Sequence, residues 1–160
     1  LVGSEMCIRD RDIIDKGSCP IINSIIFANG DLYVLDNSSS NIEVLCKSSI
    51  DSYFDFNSIN DGSCFDVFCS CETDLYKVYG GDGSYGSDGI IYVIAKKTNS
   101  PVWFLFLDNI NPVENIKIIN EVIYAYNNNN GYLLVSITNP LNNIKFIEEN
   151  NSIGNNHLNS

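Results

Sequence analysis

Two short stretches hold most of the side chains able to do chemistry. The first, SCFDVFCSCETD at 63–74, carries Cys64, Cys69 and Cys71. Thiolates are soft ligands, and Cys69 and Cys71, two apart on an extended chain, would share one face, with Cys64 at the start of the same strand. These three are therefore candidate ligands for a soft metal. Zinc sites usually show paired C-x2–4-C spacings and often histidine, and neither is present. A disulfide between Cys69 and Cys71 would be sterically poor. Buried or free thiols, and disulfides to Cys19, Cys46 or absent sequence, stay open as alternatives. The second stretch is GGDGSYGSDG at 80–89, with Asp82 and Asp88. Hard cations want clustered carboxylate and carbonyl oxygens, so Asp82 and Asp88 are candidate calcium ligands. EF-hand spacing is not met, and Tyr85 stands where a GGxGxD repeat needs Asp. No Gly-Lys-Ser/Thr follows, so a phosphate-binding loop is excluded. A flexible connecting loop is the other expectation here.

Little else in the chain resembles a catalytic constellation. His157 is the only histidine and lies in the polar tail ENNSIGNNHLNS, where fraying is expected. A Ser–His or Cys–His pair would need that ring in a pocket. The carboxylates scatter over turns without an obvious pair. No catalytic residue and no cofactor is assigned. Asn37-Ser38-Ser39 and Asn150-Asn151-Ser152 read as glycosylation sequons, but this much Asn and Ser produces such triplets without selection. Trp103, inside the apolar run VWFLFL, reads as core.

Charge and composition narrow the classes further. The formal net charge is −11, which argues against a phosphate-backbone partner and suits a cationic partner or divalent cations. The longest apolar run has six residues, far short of the ~18 of a membrane helix, so no membrane span is expected. Asn and Ile supply 45 of 160 residues. Both follow from A/T-rich codons, which accounts for NNNN at 127–130 without a prion-like reading. Ile favours strands and Asn favours turns, so the bias still shapes the fold.

Strands must position these side chains, and they recur. NPVENIKII (111–119) and NPLNNIKFI (139–147) agree at six of nine positions without a gap. A 33-residue shift carries LYVLDNSSSNIEVL (32–45) onto FDVFCSCETDLYKV (65–78) in pattern. Extending each match backwards defines four units near 22–46, 53–79, 89–119 and 120–149, each with three apolar stretches joined by Asn, Gly, Asp, Ser or Pro turns. Asn29-Gly30 signals a hairpin, with both residues tolerant of positive φ. The third strands alternate: Ile42 and Val44 would share one face opposite Glu43, and Ile144 and Phe146 would do so around Lys145. The middle strands VWFLFL and YLLV lack polar alternation and should be buried on both faces. No convincing amphipathic helix is present. The expectation is an all-β fold of repeated three- or four-stranded antiparallel meanders, best read as a partial β-propeller. A trefoil or a sandwich is the runner-up.

The unit NEVIYAYNNNNGYLLVSITNPLNNIKFIEE (120–149) resembles the LVIVD repeat, a β-propeller repeat of bacterial surface and other extracellular proteins. Tyr124 and Tyr126, Gly131, Leu133 to Ile137 and Asn139-Pro140 hold the positions of that pattern, and Asp108 holds its Asp in the preceding unit. The resemblance covers 89–150, and 22–79 by pattern only. It implies a propeller, an extracellular or cell-surface setting, and non-enzymatic binding of a protein or glycan ligand. A propeller-fold hydrolase, with key residues outside the sequence, is the alternative, and an intracellular scaffold is a third. Oligomeric state is left open.

The first ten residues, LVGSEMCIRD, resemble a translated adaptor of DNA sequencing libraries, with Arg11 as the junction codon. On that expectation 1–11 is not native, and 12–150 is the β-repeat domain ahead of a polar tail at 151–160. Met6, the only methionine, and Cys7 then drop out, which leaves five of six cysteines. An open propeller cut at its ends should associate or be poorly soluble, because blade faces and strand edges lie bare.

Overall fold

Asparagine decides where many strands stop. Among the described residues six non-glycine positions have positive φ, and five are Asn: Asn99, Asn109, Asn111, Asn120 and Asn130, with φ between 49° and 64°. The sixth, Glu121, shares a two-residue hairpin with Asn120. Asn tolerates this region because its short amide can hydrogen-bond locally. Asn127 shows the mechanism in the NNNN stretch. Its Oδ1 accepts the backbone N–H groups of Asn129 (2.9 Å) and Gly131 (2.8 Å) and so folds the turn onto itself. The Asn29-Gly30 hairpin forms as expected, with one difference. Gly30 alone has positive φ (92°), and its N–H bonds Phe27 O, so Ala28 and Asn29 are the central pair.

The computed structural model describes residues 13–14, 17–52, 62–83 and 86–149. The adaptor-like start, the first strand of the second unit (YFDF), His157 and the Asn150 sequon lie outside the described residues. The chain is all-β. Three antiparallel meanders follow one another. The first is β2 (Ser24–Phe27), β3 (Asp31–Asp36) and β4 (Asn41–Ser49). The second is β6 (Asp66–Glu72), β7 (Tyr76–Asp82), β8 (Gly89–Ala95) and β9 (Ser100–Leu107). The third is β10 (Val113–Ile119), β11 (Val122–Asn127), β12 (Gly131–Ser136) and β13 (Ile144–Glu148). A separate two-stranded sheet joins β1 (Ser18–Pro20) to β5 (Gly62–Cys64).

The meanders are stitched into a single eleven-stranded sheet by two seams. One pairs β2 with β9, from Ser24↔Phe106 to Phe27↔Trp103. The other pairs β13 with β4 through Ile144↔Ile42 and Lys145↔Asn41. The sheet curls until its two end strands, β10 and β6, pack together, so it nearly closes into a barrel. That arrangement is compatible with the propeller-like class. The three-strand units of the sequence and the hydrogen-bonded meanders have different boundaries: β10 ends the 89–119 unit but pairs with β11 of the next.

Closure depends on Gly80 and Gly81. They sit inside β7 and are buried, so the glycine-rich stretch begins as strand and not as loop. A Cβ on Gly80 would lie 2.6 Å from Val113 Cγ1 and 2.9 Å from Ile116 Cδ1. The missing side chain is the space β10 occupies when it crosses β7. Sequence alone suggests flexibility for such glycines; here they permit close approach.

Burial explains the apolar runs. In β9, Trp103, Leu105 and Leu107 point into the barrel core, while Phe104 and Phe106 point outward, and all five are buried. The outer face is capped by Ile13, Cys19, Ile50 and Phe65, with Phe65 and Phe104 rings 5.1 Å apart. VWFLFL is thus covered on both sides, as its lack of alternation requires. YLLV differs: Leu133 and Val135 are buried, whereas Tyr132 and Leu134 are partly exposed, because among the described residues no second layer covers the third meander. In β4, Ile42 is buried but Val44 is 41 % exposed. A bulge between Val34 and Leu35 leaves Leu45 opposite no residue of β3, beyond Val44, which itself lies on the Ile42 face.

Candidate functional site

Antiparallel pairing brings the ends of several strands to one end of the barrel. Asp82↔Gly89, Gly89↔Leu107 and Ser24↔Phe106 are paired positions. Asp82, Asp88, Asp108 and Asn23 therefore emerge side by side, one residue beyond or at the limits of their strands. Asn37, just past β3, joins them.

Asp108 and the two asparagines form a polar clasp. Asn23 Nδ2 donates to Asp108 Oδ1 (3.1 Å), and Asn37 Nδ2 donates to the same oxygen (2.9 Å) and to the Asp108 carbonyl (2.7 Å). Asp108 N–H returns a bond to Asn23 Oδ1 at 2.8 Å. The clasp ties the first meander to the end of β9. Its members were not singled out together by sequence, because Asn23, Asn37 and Asp108 are up to 85 residues apart.

Asp88 is different. It is 4 % exposed, and among the described residues no hydrogen bond or ion pair reaches its carboxylate. Burial first, then Asp108 and Asp82, hold its carboxyl above the usual carboxylate range. It lines a pocket with Ile21, Ile22, Asn23, Phe106 and Asp108. Of the two candidate calcium ligands, Asp82 closes β7 and is partly exposed, while Asp88 faces this pocket.

The linkage sign follows from the raised carboxyl. The folded state holds the Asp88 proton more tightly than the unfolded chain. Stability therefore falls as pH rises from about 3.9, the unfolded value, through the raised native one. Asp88→Asn is expected to raise stability at pH 7 by up to about 1 kcal/mol once solvent screening at the pocket mouth is allowed for. The gain should shrink towards pH 4, and urea unfolding at both pH values measures it.

The cysteines do not converge. Cys64 ends β5, in the small sheet, and is exposed, and Phe65 separates it from β6. Cys69 and Cys71 share one face of β6, as expected, and pack against the barrel core. The Cys69 thiol donates towards Gly80 O (3.7 Å) and Val113 O (3.6 Å). Burial pushes it up to about 11. Burial, then Asp88, pushes Cys19 up to about 12. Among the described residues no three His, Cys, Asp or Glu side chains are placed to hold a metal ion, and no disulfide joins the five described cysteines. Alkylation with iodoacetamide at pH 8 should label Cys46 and Cys64 first, with Cys19 and Cys69 slowest by at least tenfold. Peptide mass spectrometry over a time course reads the order, and equal rates at Cys19 and Cys46 would contradict it.

A second surface lies on the outer face of the third meander, which no described residue outside that meander covers. Tyr124 and Tyr126 alternate outward on β11, and Tyr132 meets them from β12 through the Tyr126↔Tyr132 pair. The Tyr132 ring lies 6.1 Å from Tyr124 and 5.2 Å from Tyr126, and Lys117 Nζ sits 5.6 Å from the Tyr126 ring centre. All three tyrosines are partly exposed. The alternation YAY preceded this in sequence, but the partner ring across the hairpin needed the register.

Fold and surfaces together define an all-β, barrel-like antiparallel protein with an acidic loop end and a tyrosine wall. No protein-family model, no curated protein and no solved structure matches the chain. Among the described residues no helix is long and apolar enough to cross a membrane.

Proposed function

We propose that the chain is a non-enzymatic binding module whose protein or glycan ligand docks on the tyrosine wall of the third meander. The observation that carries this reading is the set of three partly exposed rings held on one rigid sheet face. Tyrosine offers a large amphipathic contact area at low rotamer cost, and it is enriched where proteins meet ligands. Ring faces stack on sugar C–H groups, and the hydroxyls hydrogen-bond. Burial, then Glu149 and the neighbouring rings, hold the Tyr132 phenol above the usual tyrosine value. The likeness of 89–150 to LVIVD-type propeller repeats supports the same reading.

The test compares the wild type with a Tyr124→Ala, Tyr126→Ala, Tyr132→Ala variant on a glycan array and a panel of extracellular-matrix proteins. Wild-type binding at least tenfold above the variant, with equal circular dichroism, supports the reading. A wild type that binds nothing better than the variant does overturns it.

A further inference from the structure

We infer that the pocket beside Asp88 is a receptor for an alkylammonium group, such as the lysine side chain of a partner protein. The site lies at the acidic end of the barrel, apart from the tyrosine wall, and does not depend on it.

Three observations converge. The first is Asp88 itself, a carboxylate 4 % exposed, facing the pocket, with no hydrogen bond or ion pair to any described residue. Native proteins rarely leave a buried carboxylate unpaired, so such a group marks a place where a ligand supplies the partner. The second is Asp108. Both amide donors of the clasp reach Oδ1, and among the described residues Oδ2 has no partner. Two carboxylates therefore offer open acceptor positions to one small space. The third is the wall. Ile21, Ile22 and Phe106, with Asn23, complete the lining, and Ile21 is 43 % exposed. Hydrocarbon side chains beside two carboxylates match a methylene stem ending in a cation.

Size and charge select among cations. The pocket volume is about 260 Å³, below the usual ~300–1,000 Å³ of small-molecule pockets, so a single side chain fits better than a larger ligand. A calcium ion wants six to eight oxygens, whereas the lining brings two carboxylates, one of whose oxygens is already taken, the Asn23 amide, whose oxygen accepts the Asp108 N–H, and three hydrocarbon side chains. An ammonium has three donors and needs three acceptors, which Asp88 and Asp108 Oδ2 can supply. The chain's net charge of −11 draws a cationic partner to it. The ionisable groups facing Asp88 are Asp82, Asp108 and the Cys19 thiol. Among the described residues none of these is cationic, and a partner supplies the positive charge.

The experiment titrates the full chain, labelled with nitrogen-15, with Nα-acetyl-lysine methylamide at pH 7.5 and low salt. The neutral norleucine analogue and calcium chloride are run in parallel. The expected result is a saturable shift of the amide signals of 21–23, 88–89 and 106–108 with the lysine compound only. Asp88→Asn, which keeps the side-chain shape, should weaken that binding at least tenfold while leaving the rest of the spectrum in place. Equal shifts with the norleucine analogue would overturn the proposal, as would unchanged affinity in the variant or no saturation by 100 mM. Saturable binding of calcium at the same signals, lost in Asp88→Asn, would also overturn it and make this a divalent-metal site. The tyrosine variant of the preceding section should bind the lysine compound normally, so the two readings fail separately.

Discussion

Trp103→Ala is expected to cost about 3–5 kcal/mol, enough to unfold a domain whose total stability is of order 5–15 kcal/mol. Trp103 is 1 % exposed and points from β9 into the barrel core. Truncation removes the largest buried side chain and leaves a cavity between two meanders that cannot collapse without breaking sheet hydrogen bonds. A second loss is polar. Trp103 Nε1 donates to Ile137 O at 2.8 Å, within the core. That bond staples β9 to the segment after β12, across the barrel interior. Trp103→Phe separates the two contributions. It keeps most of the ring volume but deserts the Ile137 carbonyl, and should cost about 1–3 kcal/mol. Trp103 is the only tryptophan, so unfolding in urea must be followed by circular dichroism. A loss below about 1 kcal/mol for the alanine variant would contradict the packing described.

Gly81→Ala is expected to destabilise by about 3 kcal/mol and to free β6 from the sheet. Gly81 pairs with Val67 next to a bulge. An added Cβ would overlap the Asp66 carbonyl oxygen and lie 2.7 Å from Asp66 C and 2.9 Å from Val67 Cα. These are backbone atoms, which cannot rotate aside as a side chain would. The strand pair must part, and with it the contact of β6 with β10 that nearly closes the barrel. Gly86→Ala is the comparison. Gly86 has φ +79° with nothing within 4 Å of the added atom, so only backbone strain of about 1–2 kcal/mol is expected. Hydrogen exchange reads the difference: amides of 66–72 should lose protection in the Gly81 variant and keep it in the Gly86 variant. Equal effects would mean that conformation, and not close approach, governs both positions.

These expectations differ in how much of their basis is local. The hairpins of the first, third and fourth units could be read directly, because an apolar stretch, an Asn- or Gly-bearing turn and a second apolar stretch are neighbours in the chain. The double burial of VWFLFL was also legible: a strand with no polar face must be covered twice. YLLV carries the same pattern yet is covered once, since what lies over a strand is set by other segments. Val44 lies two residues from Ile42 on the same strand face, yet it is 41 % exposed, for the same reason: what covers a strand face is set by other segments.

The candidate sites divide in the same way. Cys69 and Cys71 do share a face, as spacing two on a strand demands, but Cys64 belongs to another sheet. Asp82 and Asp88 do come near each other. Asp108 had been placed only through the repeat pattern, yet it is the second carboxylate of the pocket, and it arrives from a different hairpin. Asn23 and Asn37 were two of 23 asparagines, with no local feature to distinguish them.

By itself the sequence determined the all-β class, the antiparallel meanders, most turns and the strong negative charge. Each depends on side-chain period, turn chemistry or composition, which act over a few residues. Only the tertiary structure decided the β2–β9 and β13–β4 seams, the glycine-lined crossing of β10 over β7, the tyrosine wall and the burial of Asp88 beside Asp108. Those features arise between segments tens of residues apart. Register and curvature of the sheet bring them together, and no local preference encodes either one.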